Sequence, residues 1–364
     1  ASAPIELGAE FIHGTARVTF ELLERAGGSA IAQNDDDDED GRFASAARLI
    51  DTVDVNGADE SVDAFLQRAL RNGATADSAQ SVRALVEGFD AADPADASVI
   101  AVAKEWRGAA SLQTPQYRPS CGYAPLIETL AAALSPERVD LQLQTRIEQI
   151  EWSKGRVRIA ARRFGEPVQY EARKAIVTLP IGVLQSGDVR FEPALPPATR
   201  EAIAGIAMGP VLKVALVFAE RFWPENGDFF IAPDGAFPTF WSTYPRLSTL
   251  IIGWAGGPKA RAMRDLDEAG VIARAISGFA DVVGMPQHQV ARRVEFARVH
   301  DWQRDPYARG AYSYLKAGAL QAREALARPI EDTLFFAGEA TAPHAEAGTV
   351  AGALLSGRTT ADLL

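Results

Sequence analysis

Leu334-Phe-Phe-Ala-Gly-Glu-Ala-Thr341, a short linker and Gly348-Thr-Val-Ala-Gly-Ala-Leu-Leu-Ser-Gly357 decide how this chain is read. The first run predicts a buried strand over 332–337 ending in a Gly-Glu turn. The second opens a helix that closes the chain over 349–364. Gly338 has no Cβ, so a ligand can approach the backbone there. Glu339 offers acceptor oxygens to sugar hydroxyls. The helix beginning near Thr349 turns unpaired N–H groups and the positive end of its dipole toward whatever precedes it. An electron-rich ring suits that position. Gly352 and Gly357 permit close packing of the same helix. An ordinary strand–loop–helix fits these residues equally well, so composition at this stretch leaves its function open.

Working outward, short β-branched or alternating runs predict strands at 139–143, 147–152, 157–161 and 175–179, with Lys154-Gly155 as a hairpin turn. Further strands are predicted at 208–218, 229–231, 240–243 and 249–254. Helical spacing marks 15–30, which stops at Gly27-Gly28, and 126–134 and 265–283. Residues 59–110 read as mostly helical, with breaks at Asn72-Gly73 and Asp93-Pro94. The acidic run Asp35 to Asp40 reads as a solvated loop. Strands and helices are interspersed without a repeat, so the class is α/β (α+β).

At 364 residues the chain is long enough for two domains, and 47% apolar residues are those of a globular protein. No apolar stretch reaches the ~20 residues of a membrane span, so no membrane partner is expected. A net charge of −11 argues against nucleic acid and would attract small cations. The single cysteine, Cys121, excludes an internal disulfide and agrees with a cytoplasmic location. Four scattered histidines (His13, His288, His300 and His344) show no metal-ligand spacing, and no metal is expected. The opening Ala1-Ser-Ala-Pro-Ile-Glu is no signal peptide and reads as a chain entered in mid-protein.

The C-terminal motif resembles the last flavin-binding segment of the flavin-containing amine oxidases, the family of polyamine, spermine and monoamine oxidases and lysine-specific demethylases. Four more stretches resemble that family in order. They are Ile5-Glu-Leu-Gly-Ala-Glu-Phe-Ile-His-Gly14, Val177-Thr-Leu-Pro-Ile-Gly-Val-Leu184, Met208-Gly-Pro-Val-Leu-Lys-Val-Ala-Leu-Val-Phe218 with Phe222-Trp-Pro, and Trp302 with Asp305-Pro-Tyr-Ala-Arg-Gly-Ala-Tyr-Ser313. The resemblance implies a FAD-binding Rossmann-like domain interleaved with a mixed-sheet and helical substrate domain. The flavin pieces would be 1–30, 115–205 and 300–364, and the substrate pieces 31–114 and 206–299. It implies oxidation of an amine, a polyamine above all, by hydride transfer to flavin N5. Imine hydrolysis and reduction of O2 to hydrogen peroxide would follow.

Roles follow residue by residue from the resemblance. Lys213 would hold a water against flavin N5. A lysine amid an apolar strand is costly without partners, although one at a strand end can reach solvent. Tyr312 would form one wall of an aromatic cage, with Thr349 where monoamine oxidases place the second wall. His13 would lie beside the substrate amine, and Glu10 would contact a second ammonium. Trp302 would pack on the isoalloxazine. Gly8, Ala9, Ile147, Pro180, Gly338, Glu339, Thr349 and Val350 complete the expected FAD contacts. Ala311 stands where monoamine oxidases carry the flavin-linking cysteine, which implies non-covalent FAD.

One departure stands out. The family's opening strand, G-x-G-x-x-G turn and helix do not occur in this sequence, so the first βαβ unit is missing. That unit holds the FAD pyrophosphate and adenosine ribose, so retention of FAD depends on whether a separate N-terminal fragment supplies it. Two other readings stand beside the amine oxidase: a different flavin oxidoreductase of the superfamily, such as an amino acid oxidase or desaturase-like enzyme, and a non-catalytic remnant.

Overall fold

The structure is a computed structural model that describes residues 4–33, 41–108 and 114–364. The acidic run at 35–40 lies outside the described residues. Near the N-terminus, β1 (Ile12–His13), β2 (Ala30–Ala32) and β3 (Gln116–Pro119) form an antiparallel sheet in the order β1-β3-β2. Helices α1 (Arg17–Arg25), α6 (Ala124–Ala132) and α13 (Val350–Ala361) pack around it through Leu22, Leu23, Tyr123 and Leu126. α1 stops as its sequence predicts: the Gly28 and Gly27 amides bond back to Leu23 and Glu24, with Gly27 at φ +72°.

Helices α2 (Arg42–Ile50), α3 (Val62–Arg71), α4 (Ala76–Gly88) and α5 (Val99–Trp106) share one core. Ser61, Thr75 and Ser98 cap the last three, each side chain accepting a backbone N–H.

A second core lies beneath the sheet β6-β5-β4-β8, built from β4 (Thr145–Ser153), β5 (Arg156–Arg163), β6 (Glu166–Ala172) and β8 (Arg190–Glu192). Lys154-Gly155 turns the β4–β5 hairpin, as expected. Under the same core, β7 (Ala175–Val177) runs parallel to β16 (Leu334–Phe336), flanked by α7 (Ile181–Ser186), α8 (Pro197–Gly205) and α12 (Ala322–Ala327). The strand expected at 139–143 does not form. Val139, Leu141 and Leu143 are exposed, and no described strand lies alongside to accept a ladder.

The single strand expected over 208–218 is two. β9 (Ile206–Met208) pairs with β15 (Ser313–Leu315), and β10 (Val211–Phe218) enters another sheet. Gly209-Pro210 makes the break: Pro210 has no N–H to give, and a Cβ on Gly209 would lie 2.8 Å from the Ala91 carbonyl oxygen. β10 is an interior strand in the order β11-β12-β13-β10-β14, with β11 (Phe229–Ile231), β12 (Thr239–Trp241), β13 (Leu250–Gly256) and β14 (Val294–Asp301). Helices α9 (Gly257–Ala262), α10 (Glu268–Val282) and α11 (Gln287–Ala291) accompany this sheet.

The period of a strand explains the placing of Lys213. Leu212, Val214, Leu216 and Phe218 face the core that contains Phe240 and Phe279. Lys213 and Ala215 turn to the opposite face, where Trp241 and Phe11 lie.

Candidate active site

Lys213 is 1% exposed and in mid-strand, so it does not reach solvent as a strand-end lysine would. Its ammonium donates to the Glu10 carboxylate at 2.8 Å and to the Gly8 carbonyl at 3.1 Å, and lies 5.4 Å from the Trp241 ring centre. Glu10 also accepts from Trp241 Nε1 at 3.0 Å and from Arg118 Nε at 3.2 Å. Arg118 reaches onward to Gln33, to the Tyr244 carbonyl and to Asp228, and its guanidinium covers the Phe11 ring. Burial alone would push the Glu10 carboxyl up. Lys213 and Arg118 outweigh that and hold it below the usual carboxylate range. Glu10 therefore does not present a free carboxylate to a second ammonium, as the sequence suggested; its oxygens are taken by three donors of the chain itself.

Gly8 and Trp302 meet beside this cluster. Trp302 Nε1 donates to the Leu7 carbonyl at 2.9 Å, and a Cβ on Gly8 would stand 3.3 Å from the indole ring. Ala9 lies between Gly8 and Glu10 on the same segment.

A second group forms around Phe89. The Tyr312 hydroxyl donates to the Phe89 carbonyl, and the His13 ring meets the Phe89 ring edge-on at 5.5 Å. Burial raises the Tyr312 phenol and lowers the His13 imidazole, so both are neutral near pH 7. Tyr312 packs against Gly348, next to Thr349. Thr349 caps α13 by accepting the Gly352 amide at 2.9 Å. His13, Thr15, Glu346, Thr349 and Val350 line one pocket at that helix end.

Gly338 sits at φ +137° where β16 ends, with no atom within 4 Å of where its Cβ would stand. Glu339 accepts from the Ser313 hydroxyl at 2.7 Å and amide at 3.3 Å through one oxygen. Arg323, 3% exposed, bonds Ser313 and lies 3.6 Å from Glu105. Glu105 is pushed up to about 7, first by burial and then by Glu339, against the pull of Arg323. Burial and Glu105 raise Asp90 well above its usual range, although Trp106 Nε1 donates to it.

Two expected FAD contacts lie apart from these groups. Ile147 packs on the core beneath the four-stranded sheet, and Pro180 precedes α7 as its cap. Sequence reasoning missed Gln116 and Arg118 on β3, and Phe89, Asp90 and Trp241. Gln116-Tyr-Arg-Pro119 carries no motif; the one available signal was its alternation, which turns Gln116 and Arg118 to one face. Among the described residues no group of three His, Cys, Asp or Glu is placed to hold a metal, and no helix is long and apolar enough to cross a membrane.

Solved structures define the class of fold. Cyclohexylamine oxidase from Brevibacterium oxydans IH-35A superposes with a TM-score of 0.79 at 19% identity, over 100% of this chain and 88% of that one. Putrescine oxidase bound to putrescine gives 0.78 at 18%, over 99% and 88%. Residues 38–364 match the flavin containing amine oxidoreductases, and the chain belongs to that family. Lysine-specific histone demethylase 2 of Homo sapiens is 31% identical over 65% of this chain and 29% of its own length. Probable polyamine oxidase 4 of Arabidopsis thaliana is 30% identical over 65% of this chain and 46% of its own. The matches thus span less than half of either relative. Members of that family are described as flavin containing amine oxidoreductases.

Proposed function

We propose that this chain carries the amine-binding and flavin-facing parts of a FAD-dependent oxidase acting on a small cationic amine, a polyamine above all. The observation that supports this most is the meeting of neutral His13 and Tyr312 at Phe89, with His13 and the start of α13 lining one pocket and Lys213, Gly8 and Trp302 forming a second group. The residues fit a flavin. Gly338 leaves open space at a positive φ, Glu339 keeps one oxygen beyond its bonds to Ser313, and Val350 and Ala351 at the start of α13 line the pocket. Bound FAD would supply two-electron oxidation of the amine, with O2 as the final acceptor of the two electrons and two protons that make hydrogen peroxide.

Around that chemistry each side chain has a role. Gly338, Glu339, Thr349 and Val350, with Gly8, Ala9, Trp302, Ile147 and Pro180, hold the cofactor, non-covalently because Ala311 offers no thiol. The α13 dipole favours negative charge at its end. Tyr312 and His13 orient the amine, and His13 accepts from its N–H. Lys213 holds a water. The flavin lobe comprises 1–30, 115–205 and 300–364, and the substrate lobe 31–114 and 206–299. The buried cores under the four- and five-stranded sheets support that division.

A visible spectrum of the purified protein with added FAD tests the reading, before and after anaerobic spermidine, putrescine or cyclohexylamine. Flavin bands that bleach with an amine are expected. Bands that persist with all three but bleach with an amino acid would assign another flavin oxidoreductase, and a protein that takes up no FAD would sink the proposal. Lys213→Met is expected to slow flavin reduction or reoxidation on the order of 100-fold in stopped flow. Wild-type rates in that variant would remove Lys213 from the mechanism.

A further inference from the structure

His13 and Gln116 stand directly opposite each other in the β1–β3 ladder, which brings their side chains together on one face. His13 Nδ1 meets Gln116 Oε1 in a hydrogen bond. The other end of the amide settles its direction. Gln116 Nε2 donates to the Thr114 carbonyl at 2.7 Å, which an amide oxygen could not do, so Oε1 is the atom facing His13. An amide oxygen only accepts, and Nδ1 must therefore carry the proton. Burial holds the imidazole in its neutral form, with one ring proton to place. That proton is spent on Gln116. Among the described residues none bonds Nε2, while His13 lines the pocket with Thr15, Glu346 and Thr349.

We propose that Gln116 is a positioning residue that fixes His13 as its Nδ1–H tautomer, so that Nε2 presents a lone pair to an N–H donor of the ligand. The opposite tautomer would turn an N–H toward an incoming ammonium and meet it donor to donor. Gln116 thus acts on ligand choice without touching the ligand. The choice of ligand rests on the amine oxidase reading; the tautomer does not.

The tautomer can be read without cofactor or substrate, from the imidazole 15N shifts of the purified protein. The chain has four histidines, and His13 is assigned by the signal lost in His13→Gln. A protonated Nδ1 and an unprotonated Nε2 are expected. Gln116→Leu should shift the ring toward the Nε2–H form, and Gln116→Glu, whose carboxylate also only accepts, should restore Nδ1–H. A wild-type ring protonated at Nε2, or a Gln116→Leu ring unchanged from wild type, would overturn the proposal. Spermidine should then move the Nε2 shift, and Gln116→Leu should weaken its binding about tenfold, the worth of one hydrogen bond. Flavin bleached by spermidine without a change at Nε2 would remove the acceptor role and leave the oxidase reading standing. The expected tautomer in a protein whose flavin no amine reduces would do the reverse.

Discussion

Two buried charge clusters in this molecule are built to opposite balances. Around Lys213, two carboxylates, Glu10 and Asp228, face two cations, Lys213 and Arg118. Around Arg323, Glu105 lies against the guanidinium, Glu339 joins it through the Ser313 hydroxyl, and Asp90 stands behind Glu105. The consequence is a difference in sign. Glu10 is held ionised although little of it reaches solvent, whereas Asp90 and Glu105 are pushed toward their neutral forms. Burial penalises charge in both places, and the supply of hydrogen-bonded cations decides which effect wins.

The largest test of this contrast removes Glu10. Glu10→Leu leaves Lys213 and Arg118 short of a buried counter-charge and should cost about 3–5 kcal/mol in urea unfolding. A loss below about 1 kcal/mol would mean that the Gly8 carbonyl and Asp228 suffice.

The next concerns pH. Glu105 rises from 4.5 to about 7 on folding, so the folded state holds its proton more tightly than the unfolded chain. Its stability contribution is complete below pH 4.5 and is lost as pH rises through about 7, amounting to something on the order of 3 kcal/mol. Glu105→Gln should flatten the melting temperature across that window and leave the variant more stable than wild type at pH 8. A wild-type profile that is already flat would show that Arg323 neutralises Glu105 fully. Glu10 runs the other way. Its depressed value lends stability above the usual carboxylate range, and this is lost as pH falls through the folded value.

The smallest effect is expected at the surface. Arg17 and Glu21 pair one helical turn apart on α1 with both side chains largely exposed. Arg17→Ala should change stability by less than about 0.5 kcal/mol, because solvent screens the pair. A larger loss would show that distance from water is not what separates the clusters from ordinary ion pairs.

Much of the architecture was legible in local pattern. The Gly27-Gly28 stop of α1, the Lys154-Gly155 hairpin and the β16–Glu339–α13 motif all rest on residues within a few positions of each other. The errors came where an element depends on a distant partner. Residues 139–143 alternate like a strand, yet no described strand pairs with them. Residues 208–218 read as one strand because the cost of continuing through Gly209-Pro210 depends on Ala91.

By itself the sequence determined the family, the mixed α/β class and the burial problem posed by Lys213, since these follow from motifs and periodicities of short range. Only the tertiary structure decided which groups solve that problem. Glu10 and Lys213 are 203 residues apart in the chain, Glu10 and Arg118 are 108 apart, and His13 and Gln116 are 103 apart. Hydrogen bonds act over about 3 Å. Which carboxylate meets which cation, and which ring nitrogen keeps its proton, is therefore set by the packing of sheets that no local spacing encodes.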